Sequence, residues 1–181
     1  MPKRNSEHAK RTSSGRNQQD KSQIELDSRK NSILASAENF GFDVASIINI
    51  NETKNLEVEL RQFLEKEHHG EMEWLDKKQE FRSDPKKLWK EAKSVIVLGS
   101  NYHFETNSLD LLNQKNKGII SVYARSRDYH LSIKKKLKAF SRWISDNYQC
   151  QIKFFVDTAP VMEKPLAMQA GIGWQGKHTN L

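Results

Sequence analysis

The feature that most limits how this chain can fold is a stripe of apolar residues after Asp128: Ile133, Leu137, Phe140, Ile144 and Tyr148. Their spacing of three to four positions puts them on one side of a single α-helix, and such a helix must bury that side against a second layer. Residues 44–50 and 94–98 are dense in Val and Ile and predict buried strands for that layer. Upstream, Ile33, Leu34, Ala37 and Phe40 share a helical face that Gly41 ends. Leu56, Leu60, Phe63 and Leu64 form another face before His68 and His69, and Met72, Trp74 and Leu75 mark a short turn. Asp84 and Pro85 predict an N-cap followed by Pro at the first helical position. Residues 103–117 have no period and predict a loop. Residues 119–123 and 152–156 predict two further strands, the second ending at Asp157, and residues 164–170 a short helix stopped by Gly171. The stripe after Asp128 predicts the longest helix, and the alternation of helix and strand predicts an α/β domain.

Composition explains why that domain does not fill the chain. Of 181 residues only 36% are hydrophobic, and residues 1–30 contribute Met1, Ala9, Ile24 and Leu26 as their only apolar side chains. A segment with so little to bury cannot offset its ordering entropy, so the expected division is a disordered basic tail over 1–30 and one domain over 31–181. Eight cations against four acids give the tail +4 of the chain's net +7. The same residues read either as an arm for nucleic-acid phosphates or as a solvated extension. No apolar run approaches the roughly 20 residues of a membrane span, and no apolar signal core follows Met1. The lone Cys150 makes no internal disulfide, thiolate zinc site or iron–sulfur cluster. A cytoplasmic protein without a membrane partner is the expectation.

Each chemical motif competes with a structural reading. Gly171-Ile-Gly-Trp-Gln-Gly176 has the G-x-G-x-x-G spacing and is followed by Lys177, but a helix precedes it where a phosphate-binding loop needs a strand. Asp128-Tyr129-His130 begins like the D-x-H-x-x-G signature of cobalt-ligating proteins, with Ile133 in place of its glycine. An N-cap at Asp128 and a surface His130 is the favoured reading there. His68 and His69 are adjacent, so they point apart and do not form a chelating pair. Arg125, Arg127, Lys134, Lys135, Lys136, Lys138 and Arg142 set seven cations in eighteen residues. That face would attract a polyanion or simply be a solvated helix exterior. Asp157 ends an apolar run, where partial desolvation would suit a proton donor, although a cap for Thr158-Ala159-Pro160 is the competing role.

Four segments taken in order, His69-Gly-Glu-Met-Glu-Trp-Leu75, Arg125 to His130, Phe155-Val-Asp-Thr-Ala-Pro160 and Ala170 to His178, resemble epoxyqueuosine reductase. The resemblance spans residues 32–181 and is to the family's N-terminal, cobalamin-binding part. It implies cobalamin-dependent reduction of epoxyqueuosine to queuosine in tRNA, the last step of queuosine formation. It also implies a nitroreductase-like sandwich, a mixed sheet with flanking helices, in place of a doubly wound sheet.

By the same resemblance Asp157 is the proton donor and a cofactor contact. Arg82, Ser121, Lys177 and Leu181 are the other cobalamin contacts, Lys164 faces the substrate, and no residue is a metal ligand. Family members continue into a segment holding two four-iron four-sulfur clusters, for which this chain has no ligands. The expectation is therefore a truncated product or fragment, monomeric, inactive alone unless a separate iron–sulfur half joins it. The polar tail has no family counterpart. Two alternatives stay open: a related cobalamin-handling reductase with a small substrate, and a non-catalytic RNA-binding remnant.

Overall fold

Residues 44–50 and 94–98 do become strands. In the computed structural model, which describes residues 8–102, 108–125 and 128–177, β1 (Val44–Asn49) and β2 (Ser94–Gly99) run antiparallel, from Val44 opposite Gly99 to Asn49 opposite Ser94. Asp43 N–H donating to Gly99 O and Ile50 N–H donating to Lys93 O extend the ladder at both ends. Gly99 is required by this register: a Cβ there would lie 2.5 Å from Val44 Cγ1, its cross-strand neighbour.

The connection between the strands is helical. α2 (Glu57–Glu65) buries Leu60, and Leu56 N–H donating to Ser83 O ties its start to the end of α3 (Gln79–Ser83). α4 (Pro85–Leu88) begins as expected, with Asp84 accepting from Lys86 N–H and Pro85 in the first turn. Asn49 caps the turn Ile50–Glu52, and the expected turn at Trp74 is present as Glu73–Leu75.

The apolar stripe forms α5 (Tyr129–Tyr148), burying Leu137, Phe140 and Ile144. Phe140, 2% exposed, is the centre of the core: its ring lies 5.1 Å from Phe40, 6.1 Å from Phe42 and 6.0 Å from Trp143. Burying a ring of this size contributes about 1.5–3 kcal/mol. α6 (Glu163–Gln169) ends at Gly171 with φ 74, a left-handed conformation that glycine adopts without steric cost. Ser46 Oγ donates to Ala170 O and Lys54 N–H to Gln169 Oε1, anchoring the end of α6 beside β1.

Three expectations need correction. Residues 119–123 are irregular and then turn through Val122–Ala124, and residues 152–156 are extended but join no ladder. The alternating burial from Ile152 to Val156 is nonetheless the period of a strand, so pattern was legible and pairing was not. Among the described residues the sheet is β1 with β2, antiparallel. The stripe does not form the longest helix: α1 (His8–Ala37) is longer, and α5 is the second longest among the described residues. Residues 20–32 of α1 are exposed, Ile33 and Leu34 are half-buried and Ala37 is buried, and pairs four apart, Glu25 with Arg29 and Gln23 with Asp27, support the helix locally. The chain divides into two compact units, Met1–Ser36 and Ala37–Leu181. Among the described residues no helix is long and apolar enough to cross a membrane.

Candidate functional site

Asp157 follows the extended segment 151–155 with φ 52, a conformation that costs most side chains but that Asp tolerates. Its backbone N–H donates to Glu163 Oε1 at 3.0 Å, which ties this bend to the first residue of α6. Its carboxylate does not cap the following turn: Oδ2 accepts from Tyr129 O–H at 2.5 Å and lies 3.6 Å from His130 Nε2. The other imidazole nitrogen, Nδ1, is 2.7 Å from Asp128 Oδ1, and that oxygen also accepts His130 N–H at 2.9 Å. The N-cap expected at Asp128 is real, and the same side chain holds the imidazole. The Tyr129 and His130 rings stack 4.2 Å apart. The start of α5, the bend at Asp157 and the start of α6 thus gather five groups that can exchange protons.

Their environments differ. The Tyr129 phenol is pushed up to about 12, first by its hydrogen bond to Asp157 and then by burial. Burial raises the Glu163 carboxyl above its ordinary range, although the Asp157 N–H it accepts pulls the other way. The Asp128 carboxyl is held below the usual range, chiefly by the His130 backbone N–H. Asp157 itself is 51% exposed at its side chain, so the desolvated acid of the site is Glu163. Tyr129 and Glu163 were not singled out in the sequence, and His130 read as a surface residue. Tyr129 and His130 lie in a noted tripeptide, but nothing local links it to a carboxylate 28 positions away.

The other expected site residues sit elsewhere. Arg82, near the end of α3, donates to Trp74 O and Lys77 O and lies 4.8 Å over the Trp74 ring. Ser121 is exposed and opens the turn Val122–Ala124. Lys164 is exposed beside Glu163, Lys177 is exposed, and Leu181 lies outside the described residues. Of the basic face, Arg127 also lies outside them. Lys136 is half-buried, donating to Gly41 O at 2.6 Å and Ser100 Oγ at 3.3 Å, and Arg142 is 3.8 Å from Asp146. Lys134, Lys135 and Lys138 are the exposed lysines of that face.

Residues 82–158, from Arg82 to the residue after Asp157, match the family model for epoxyqueuosine reductase QueG, DUF1730. An epoxyqueuosine reductase of Cyclobacterium marinum is 36% identical over 150 residues, 82% of this chain and 47% of the relative. The chain belongs to the epoxyqueuosine reductase family. The chain spans about half the length of that relative, and 33% of the Escherichia coli epoxyqueuosine reductase, which is 36% identical over 126 residues. The solved epoxyqueuosine reductase of Streptococcus thermophilus superposes with a TM-score of 0.67 at 26% identity, over 82% of this chain and 40% of that one. An epoxyqueuosine reductase solved with an epoxyqueuosine-modified tRNA-Tyr stem loop shares the fold, with a TM-score of 0.66 at 21% identity, over 84% of this chain and 40% of that one.

Proposed function

We propose that this chain is the cobalamin-binding part of a cytoplasmic, monomeric epoxyqueuosine reductase, which converts epoxyqueuosine to queuosine in tRNA. The carrying observation is Asp157, an accessible acid held by Tyr129 and Glu163 inside the segment that matches the family. Reducing an epoxide to an alkene takes two electrons and two protons and releases the oxygen as water. No side chain supplies the electrons; cobalamin, when bound, supplies a low-valent cobalt, with electrons arriving from iron–sulfur clusters on a further segment or a separate half. Asp157 supplies the proton to the oxygen.

The chain's surface suits such a cofactor. A corrin carries its cobalt in its own ring, so it needs a flat apolar surface and a few polar contacts more than a protein metal cluster. Phe155 before Asp157, Met168 on α6 and Trp174 beyond α6 are exposed, and Gly171 leaves its Cβ direction open. Arg82, Ser121, Lys177 and Leu181 are assigned to cobalamin, and Lys164 to the substrate. Lys134, Lys135 and Lys138 are assigned to tRNA phosphates, in keeping with a relative of the same fold that carries a tRNA stem loop. In the complete protein, a nitroreductase-like mixed sheet extends β1 and β2.

The test is direct binding. Cobalamin titrated into the chain is expected to change its visible spectrum and saturate at one equivalent, less tightly with Arg82→Ala. An epoxyqueuosine-bearing stem loop is expected to bind the loaded chain more tightly than an unmodified loop. Absence of cobalamin binding sinks the cofactor assignment, and equal affinity for the two loops sinks the substrate assignment.

A further inference from the structure

His130 sits between two carboxylates, and the proposed function leaves it without a task. Its Nδ1 is 2.7 Å from Asp128 Oδ1 and its Nε2 is 3.6 Å from Asp157 Oδ2. Asp128 grips both the ring and the backbone N–H of His130, and Tyr129 stacks on the ring, so the imidazole has little freedom to turn away. The longer contact, at 3.6 Å, is beyond a hydrogen bond, and such contacts commonly run long before substrate binds. The groups facing the imidazole are Asp128 and Tyr129 at the start of α5, Asp157 at the bend, and Glu163 from α6. Among the described residues, all of these are acids.

We propose that His130, oriented by Asp128, is the proton reservoir behind Asp157, holding the proton that Asp157 hands to the oxygen leaving the substrate. The proposal rests on Asp157 being the donor. Imidazoles as a class exchange their proton between pH 5 and 8, whereas solvated carboxyl groups release theirs several units lower. Placed between two carboxylates, the ring is sited to hold a proton and pass it on to Oδ2. In delivery the Nε2–H bond breaks as an Oδ2–H bond forms, and that Oδ2–H bond breaks in turn as the leaving oxygen takes the proton, so Asp157 ends as the carboxylate it began as. The imidazole is left neutral, with Nδ1–H on Asp128. The ring side chain is 43% exposed and recovers its proton from water. His130 does not touch the substrate in this scheme; it is a positioning and supply residue acting through Asp157.

Two measurements test it. In the full chain, long-range proton–nitrogen NMR of the neutral ring is expected to find the proton on Nδ1. In Asp128→Ser, which keeps a capping oxygen but cannot reach the ring, the proton is expected to move to Nε2. A wild-type ring protonated on Nε2 overturns the proposal. The second measurement follows single-turnover conversion against pH in the cobalamin-loaded enzyme with its iron–sulfur electron donor. His130→Gln is expected to slow conversion at least about tenfold at pH 7 and to recover toward wild type near pH 5, where carboxyl groups begin to hold their own protons. An equal loss at every pH marks a structural role and overturns the proposal, as does an unchanged rate at pH 7. Asp157→Asn separates the two ideas. Normal conversion by that variant strikes the donor assignment itself; its inactivity beside a normal His130→Gln strikes only the reservoir.

Discussion

The hydrogen bond from Tyr129 to Asp157 is the contact on which the site geometry rests, and its worth can be bounded. The phenol is raised from its ordinary 10.0 up to about 12, first by the hydrogen bond to Asp157 and then by burial, so about 2.7 kcal/mol is an upper bound on that contact before solvent is considered. The carboxylate is 51% exposed, so water competes for it, and about 1 kcal/mol is the expected net value. The sign follows from the raised folded-state value. This stability is fully present below the ordinary phenol range and is lost as pH climbs from 10.0 to about 12. The perturbation is a double-mutant cycle at neutral pH with Tyr129→Phe and Asp157→Gly. Glycine removes the carboxylate and tolerates the positive φ of position 157, and the backbone contribution of that change cancels in the cycle. Urea unfolding of the four proteins is expected to give a coupling energy of about 1 kcal/mol. A coupling within the usual additivity scatter of about 0.3–0.5 kcal/mol would show that the two groups do not hold each other in solution.

Phe140→Ala removes the most buried ring of the core and is expected to cost about 3–5 kcal/mol, read as a large fall in the urea midpoint. Glu163→Gln keeps an oxygen for Asp157 N–H but removes a carboxylate that burial disfavours. Wild-type stability is expected to fall as pH rises from the ordinary Glu range through the raised value of Glu163, and that slope to be absent in the variant, measured by thermal unfolding across pH. Reversing charge at Lys134, Lys135 and Lys138 is expected to weaken tRNA binding and flatten its salt dependence by about 0.7–0.9 for each phosphate no longer neutralised. Unchanged affinity and slope would make that face a solvated exterior. Lys136 is unsuitable for this test because its Nζ is engaged by Gly41 and Ser100.

Much of the framework was legible because it obeys local rules. The stripe of Leu137, Phe140 and Ile144 foretold α5 and its buried face, Asp84 and Pro85 foretold the start of α4, and Gly171 foretold the end of α6. Helix periodicity, caps and left-handed stops are set by residues within a turn of one another, so one strand of sequence contains them. The compact apolar run at residues 152–156 was legible in the same way, and it placed Asp157 at the end of that run. Motif resemblance then assigned the family and marked Asp157 as its acid.

What the sequence could not contain is pairing at a distance. Whether an extended run becomes a ladder depends on a partner strand, which is why residues 94–99 are β2 and residues 152–156 are not. Lys136 reads as one more surface cation until Gly41, 95 positions away, accepts its proton. The site follows the same division. Asp128, Tyr129, His130, Asp157 and Glu163 are ordinary polar residues along the chain, with an N-cap as the only local role among them. Tertiary packing alone brings the starts of α5 and α6 against the bend at Asp157, turning a cap into the group that aims an imidazole at a carboxylate.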